Sequence, residues 1–203
     1  MSFLHTLLDP IIIIKTLGLI GIFFIVFAES GLFFGFFLPG DSLLFTAGFL
    51  ASQGLLPTWT LFIGITIAAI LGDTVGYSFG KKIGPTLFTK ENSFFFNKKY
   101  PVQANLFYEK HGKKTIIFAR FIPIIRTFAP ILAGVAGMKY RTFISYNVFG
   151  GVIWSFLLTG AGLLLGRSVP NADTYITPIV IGIIIVSLLP GIIHFIKERK
   201  NVV

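Results

Sequence analysis

The stretch ARFIPIIRTFAPILAG, residues 119–134, places two arginines among phenylalanines and isoleucines. Arg120 is followed three residues later by Pro123, and Arg126 is followed four residues later by Pro130. Proline lacks a backbone N–H and disrupts helix interiors, so the pattern predicts a helix that breaks between the arginines and again after them. A charged side chain inside an apolar segment is costly and indicates a functional site by default. The stretch therefore predicts a broken membrane segment that carries buried charge.

The composition indicates a membrane protein. Of the 203 residues, 54% are hydrophobic and only 12% are charged, about half the charged share of soluble domains. Such a chain cannot cover a soluble protein of this size with polar residues, so we predict one integral membrane domain. The chain has no cysteine, which excludes disulfides and thiolate metal sites. Its histidines, His5, His111 and His194, lack the spacing of metal ligands, so we expect no metal and no other cofactor.

The net charge of +9 has a membrane explanation. Most basic residues lie beside apolar segments, where they set topology and contact anionic headgroups. No nucleic-acid motif is present, so we expect no nucleic-acid partner.

The apolar segments predict an all-α membrane protein in which two segments are too short or too interrupted to cross the bilayer. Ser42–Leu56 is such a segment, because apolar runs of about 10–14 residues are typical of re-entrant elements. Pro39 and Gly40 would form the turn at its tip. The predicted elements are a re-entrant hairpin at about 22–56, a transmembrane helix at 59–80, a cytoplasmic amphipathic linker at 81–114, a second re-entrant hairpin at about 115–138, and transmembrane helices at 143–166 and 175–195.

The basic residues predict the orientation. The linker 81–114 contains eight lysines, and the chain ends in the basic KERKNVV, so the positive-inside rule assigns both to the cytoplasm. An ordinary span at 115–138 would move the C-terminus to the other side, which favours a hairpin there. Within the linker, PVQANLFYEKHG predicts a short interfacial helix that ends at Gly112. We expect a multi-pass plasma-membrane protein with a cytoplasmic C-terminus.

The two interrupted segments resemble each other. FFLPGDSLLFTAGFLA and RFIPIIRTFAPILAGVAG both run from an aromatic residue through proline and charge to an Ala-Gly pair. The first would enter from outside and the second from the cytoplasm. Broken segments at matching positions of two inverted halves are typical of a transport site near the bilayer midplane. The fold prediction is two inverted re-entrant helical hairpins that face each other, with flanking transmembrane helices.

Three acids accompany the arginines. Glu29 lies within FAESG and has no local role in a helix, so it is a functional candidate. Asp41 in PGDS reads either as part of the site or as a helix N-cap. Asp73 reads as a cap or as a brace that acts through Tyr77. The arginines fit phosphate bidentately, and the alternative is a pair of structural arginines that the acids satisfy.

Several motifs in the same order resemble the DedA family, also called the SNARE-associated or VTT-domain family. The similarity covers roughly residues 20–166. Its motifs are Glu29, then Pro39-Gly40-Asp41, then Gly72-Asp73 with Gly76-Tyr77 and Gly80, and finally Phe118-x-Arg120-x-x-Pro123-x-x-Arg126 with Ala133-Gly134.

The resemblance implies two facing re-entrant hairpins and a role in moving lipids across the membrane. Bacterial members are associated with translocation of undecaprenyl phosphate or phospholipids and with the proton-motive force, and eukaryotic relatives are lipid scramblases. The essential acidic and arginine positions of the family fall on Glu29, Asp41, Arg120 and Arg126.

The resulting hypothesis is a proton-linked lipid transporter or flippase, with undecaprenyl phosphate or a phospholipid as substrate. Arg120 and Arg126 would bind the phosphate headgroup, and Glu29 and Asp41 would couple protons. Supporting roles would fall to Asp73, Tyr77, Pro39, Gly40 and Pro123. An enzyme is not expected, because the chain lacks a G-x-S-x-G elbow, paired histidines and cysteine.

Two alternatives stay open: a transporter of small ions or solutes, and a structural membrane protein whose buried charges only brace the hairpins. The headgroup, the direction of transport and a homo-oligomeric state also stay open. Three acids face two arginines, so one buried carboxylate is in excess and is expected to hold a proton at rest. Glu29 is the candidate because it has the least local support.

Overall fold

The computed structural model describes residues 10–32, 35, 38–87, 102, 106, 108, 112 and 114–168, and these residues contain helices and no strand. The predicted transmembrane helix 175–195, most of the linker 81–114 and the three histidines lie outside the described residues. The described helices are α1 (Pro10–Gly31), α2 (Gly40–Ser52), α3 (Thr58–Leu87), α4 (Thr115–Ala119), α5 (Pro123–Val135) and α6 (Tyr140–Ser168).

Two of these helices are long and apolar enough to cross a membrane. They comprise Thr58–Ile83 within α3, with 26 residues, and the whole of α6, with 29 residues, whereas about 20 residues suffice for a span. The helices predicted at 59–80 and 143–166 are therefore present, and each is longer than predicted. Their side chains show that they run antiparallel: Thr66 hydrogen-bonds Ser155 at 2.7 Å, and Asn147 donates to the carbonyl oxygen of Ile70 at 3.2 Å.

The helices α1 and α2 are separated by residues 32–39, of which the structure describes 32, 35, 38 and 39. α1 bends at Gly18, where φ is +59°, and 13 residues follow up to Gly31. This part of α1 and the 13-residue α2 are each about 20 Å long, shorter than the ~30 Å hydrocarbon core. We call these two segments the first pair. The segment 22–56, predicted as a re-entrant hairpin, contains the end of α1 and the whole of α2.

The end of α1 lies against the middle of α3. The ring of Phe23 lies beside Gly64, and Gly31 contacts the backbone of Gly72, so α1 and α3 run in the same direction. Gly72 is the fifteenth of the 30 residues of α3. The end of α1 therefore lies halfway along the long helix.

The second pair consists of α4 and α5. Ile122 between them is extended, with φ −118° and ψ 109°, and Pro123 begins α5. The break that the sequence predicts between the arginines is therefore present. The second predicted break is wrong, because Pro130 lies inside α5, which continues to Val135. Pro130 is buried, and the residues that follow it, Ile131 and Gly134, pack closely against α3, so tertiary packing keeps α5 helical through the proline.

Each pair packs one helix against a long helix through matching glycine contacts. α2 packs on α6, and α5 packs on α3. In both interfaces a glycine on each helix contacts a carbonyl of the other helix so closely that a Cβ would overlap it. These contacts join Gly48 to Thr159, Gly162 to Phe45, Gly134 to Tyr77 and Gly80 to Ile131. On each of the four helices, the residue that presents its carbonyl to the facing helix precedes the contacting glycine by three positions. The two interfaces therefore have the same pattern of contacts.

The linker differs from its prediction at its start and is anchored near its end. α3 continues to Leu87, so the first residues assigned to the linker are helical. The N–H of Gly112, with φ +77°, donates to the Tyr108 carbonyl at 3.0 Å. The Tyr108 hydroxyl donates to the carbonyl of Ala129 at 2.9 Å. This bond attaches the linker to α5.

Candidate functional site

Arg126 on α5 contacts both ends of the turn in the first pair. Its Nη1 donates to Asp41 Oδ1 at 2.6 Å, and its Nη2 donates to Glu29 Oε1. Glu29 lies in the last turn of α1, and Asp41 lies in the first turn of α2. The side chains of Arg126 and Glu29 are each 2% exposed, whereas that of Asp41 is 17% exposed. One guanidinium thus joins the second pair to both helices of the first.

Arg120 forms a separate cluster with the two long helices. It follows the last residue of α4, and its Nη2 donates to Asp73 Oδ2 on α3 and to Asn147 Oδ1 on α6. Both Arg120 and Asp73 are buried. The arginine therefore connects α3, α4 and α6 through a buried ion pair.

Trp154 on α6 lies beside both arginines. Its ring centroid is 4.8 Å from Cζ of Arg126 and 5.8 Å from Cζ of Arg120, within the range of cation–π attraction. Its Nε1 donates to Asp41 Oδ1 at 3.0 Å. The indole is almost fully buried, at 1% exposure. Trp154 thus links the two charge clusters and also holds Asp41.

Pro39 and Gly40 allow Glu29 and Asp41 to approach the arginine. Pro39 occupies the N-cap position of α2 and forms no side-chain cap bond, while Asp41 lies within the first turn. The structure therefore does not place Asp41 at the N-cap, and its carboxylate contacts Arg126 and Trp154 instead. A Cβ on Gly40 would overlap the Glu29 carboxylate. This position requires glycine because the acid lies directly against its backbone.

Tyr77 braces the second pair. Its hydroxyl donates to the carbonyl of Met138, just after α5, at 2.5 Å, and its ring stacks on Phe143 of α6 at 4.5 Å between centroids. Asp73 pairs with Arg120 and does not brace through Tyr77. The two residues make separate contacts, although they lie one helical turn apart on α3.

The buried charges do not balance. The cluster contains three carboxylates, Glu29, Asp41 and Asp73, and two guanidinium groups. Within the described part of the chain, Arg120 Nη1 and Arg126 Nε have no hydrogen-bond partner. A buried donor without a partner is costly, and each arginine therefore retains one nitrogen whose N–H could bind an oxygen atom of a ligand. No group of three metal-ligating side chains occurs among the described residues.

The structure brings all the predicted charged residues together and adds two that the sequence analysis did not assign to the site. Asn147 and Trp154 lie on α6, seven residues apart, which places them near one face of the helix. An asparagine inside an apolar span is itself unusual. That spacing and that polarity were the available signals.

The chain matches the VTT domain over residues 38–164. It is 46% identical to protein DedA of Escherichia coli over 181 residues, which cover 88% of this chain and 82% of that protein. It is also 46% identical to an uncharacterized membrane protein of Mycobacterium leprae, over 83% of this chain and 75% of that protein.

A third relative is the inner membrane protein YqjA of Escherichia coli, which is 34% identical over 72% of this chain and 67% of that protein. No solved structure matches the chain. The domain match covers more than half of the chain, and the relatives are similar over most of their lengths. The chain therefore belongs to the VTT-domain family of membrane proteins, which includes DedA.

Proposed function

We propose that this protein is a proton-linked transporter that moves a phosphate-headed lipid across the membrane. The observation that carries the proposal is the pair of buried arginines, each of which retains an N–H donor without a partner. Guanidinium groups bind phosphate through paired hydrogen bonds, and these bonds are stronger where water is excluded. Membership in a family of membrane proteins supports an embedded site.

The proposal includes two re-entrant hairpins, formed by the first and second pairs. If α3 crosses the bilayer, the end of α1 beside Gly72 and the break at Arg120 beside Asp73 both lie near the middle of this helix. The segments of each pair are too short to cross alone. The repeated glycine contacts of the two pairs support an inverted relationship between them. Such an arrangement is typical of transporters that hold substrate near the midplane.

Arg126 is the proposed primary contact of the phosphate. A phosphate that binds Arg126 must displace Asp41 or Glu29, because both carboxylates use its Nη atoms. Asp41 is the more accessible of the two acids, and it keeps the indole donor of Trp154 when it leaves the arginine. We therefore propose that the phosphate enters on the Asp41 side.

Proton coupling follows from where the excess charge lies. Asp73 and Arg120 form a balanced pair, so the excess negative charge belongs to Glu29 and Asp41 around Arg126. An unbalanced buried carboxylate is stabilised by a proton, and Glu29 is the more buried acid. Protonation of either acid weakens its hold on Arg126 and favours the phosphate. Lipid binding and proton binding are then linked, and each increases the affinity for the other.

The proposal is tested by lipid translocation in vesicles that contain the purified protein. We expect the wild type to translocate a phosphate-headed anionic lipid and Arg126→Lys to lose this activity. Lysine keeps the positive charge but lacks the planar guanidinium group that can bind a phosphate through two hydrogen bonds. The matched control is Arg167→Lys, an exposed position in the last turn of α6. Normal translocation by Arg126→Lys would support the bracing role. Transport of a solute with no lipid movement would support the solute transporter.

A further inference from the structure

A groove runs along α6 beside α4, and none of the charged residues of the two clusters lines it. It has a volume of about 610 Å³, within the range of sites that hold small organic ligands. Lys114, Ile117 and Phe118 form one wall. The other wall consists of Ser145, Tyr146, Phe149 and Ile153 of α6.

The groove is apolar along most of its length. Phe118 and Phe149 are 67% and 58% exposed. Ile117 and Ile153 also line the groove. From Ser145 to Ile153 the groove extends about 12 Å along α6. Since α6 is a candidate membrane span, this surface faces hydrocarbon, which suits a single lipid chain.

One end of the groove carries positive charge. Lys114 lies at the start of α4 and is exposed. Ser145 donates its hydroxyl to the carbonyl of Arg141 at 2.9 Å, and Arg141 lies one turn earlier on the same face of α6. Both cations are near the beginning of the span, where lipid phosphates reside. The groove therefore has an apolar slot that matches a lipid chain and a cationic end that matches an anionic headgroup.

The inner wall of the groove adjoins the Arg120 cluster. Gly150 follows Phe149 on α6, and a Cβ at this glycine would lie 3.3 Å from Cα of Ile117 and 3.5 Å from Nε of Arg120. Ile117, which lines the groove, and Gly150 thus lie next to the arginine. A lipid in the groove is thus one helix layer away from the buried charge.

We infer that this groove binds one hydrocarbon chain of an anionic, phosphate-headed membrane lipid, with the headgroup at Lys114 and Arg141. The inference rests on the proposed function and adds to it a place where the lipid waits before its headgroup reaches the arginines. The cationic end favours lipids with anionic headgroups. The apolar slot takes up one hydrocarbon chain from the side, directly from the surrounding bilayer.

The test identifies the occupant by photo-cross-linking. The photoreactive residue p-benzoylphenylalanine replaces Phe149 in the full chain, which is reconstituted in vesicles of equal phosphatidylglycerol and phosphatidylcholine. The control places it at Phe79, which is exposed on α3 and does not line the groove. We expect phosphatidylglycerol adducts at position 149 to exceed phosphatidylcholine adducts about fivefold, the effect of one basic residue at an anionic surface. Position 79 should show no such preference.

The variant Lys114→Gln separates the chain slot from the cationic end. It should reduce the preference for phosphatidylglycerol at position 149 and leave the total lipid adduct unchanged. A vesicle that also contains a polyprenyl phosphate shows by adduct mass which chain type the groove prefers. Adducts with peptides of this chain or of a second copy would overturn the inference, as would equal lipid preferences at positions 149 and 79. Because the adduct does not require transport, a selective adduct without translocation would contradict only the proposed function.

Discussion

The indole nitrogen of Trp154 donates to Asp41 Oδ1 at 3.0 Å, across the interface between α6 and α2. The same oxygen accepts from Arg126 Nη1 at 2.6 Å. The bond from Trp154 therefore holds Asp41 whether or not Arg126 is engaged elsewhere. In the proposed mechanism, Asp41 would therefore keep one hydrogen-bond donor when a phosphate replaces it at Arg126.

Trp154→Phe tests this relationship, because phenylalanine keeps a ring beside Arg126 and removes the N–H donor. A hydrogen bond to a charged group contributes about 1.5–3 kcal/mol, so we expect a stability loss of that order and a clear loss of transport. The measurements are thermal unfolding in detergent and lipid translocation. Trp59→Phe, at an exposed position of α3, is the control and should change neither. Equal behaviour of the two variants would contradict the role of Trp154.

The Arg120–Asp73 pair is tested by a double-mutant cycle. Asp73→Asn alone leaves a buried guanidinium unbalanced, and breaking such a pair costs about 3–5 kcal/mol. The double variant Asp73→Asn, Arg120→Gln removes both charges, so its stability loss should be smaller than the sum of the single losses. Transport should remain lost in the double variant. If the double variant is more stable than Asp73→Asn and also transports lipid, the pair only stabilises the fold and is not part of the transport site.

Much of the architecture could be predicted from the sequence because its signals are local. Pro123 lacks a backbone N–H and favours the first turn of a helix, so the break between Arg120 and Arg126 could be predicted from one residue type. The lengths of the apolar runs predicted both long helices. The gathering of Glu29, Asp41, Asp73 and the two arginines followed from the cost of burying each charge alone. The division of these charges into two clusters depends on tertiary contacts, and no local pattern specifies it.

The failures have physical reasons of the same kind. Pro130 was expected to end a helix, but Ile131 and Gly134, which follow it, pack closely against α3, and this packing outweighs the lost hydrogen bond. Asp41 was compatible with an N-cap, but Arg126 and Trp154 attract its carboxylate from distant parts of the chain. Trp154 was not assigned to the site because only its seven-residue spacing from Asn147 pointed to it, and its partners Asp41 and Arg126 come from distant parts of the chain.

The repeated glycine contacts predict matched effects in the two halves. Gly48→Ala and Gly134→Ala would each place a methyl group against a carbonyl of the facing helix, and overpacking of this kind costs about 1–3 kcal/mol. Gly160→Ala on α6 is the control, since nothing lies within 4 Å of its Cβ position. We expect lower melting temperatures for the first two variants and no decrease for the third. A large difference between Gly48→Ala and Gly134→Ala would argue against equivalent interfaces.

The orientation is tested by labelling single cysteines, which the cysteine-free chain allows. Leu55→Cys lies in the exposed connection before α3, and Lys139→Cys lies in the exposed connection before α6. The positive-inside rule predicts that an impermeant thiol reagent labels position 55 on intact cells and labels position 139 only after permeabilisation. Labelling of position 139 from outside would contradict a hairpin that enters and leaves on the cytoplasmic side.

The central claim is that a lipid phosphate and the carboxylates of Glu29 and Asp41 compete for Arg126. The most direct measurement is the affinity of the purified protein for a phosphate-headed lipid as a function of pH, in the wild type and in Glu29→Gln. A proton on Glu29 frees the arginine, so the wild type should bind the anionic lipid more tightly as the pH falls. Glu29→Gln mimics the protonated acid and should bind at least as tightly, with little dependence on pH. An unchanged pH dependence in Glu29→Gln, or a wild-type affinity that does not vary with pH, would contradict the account.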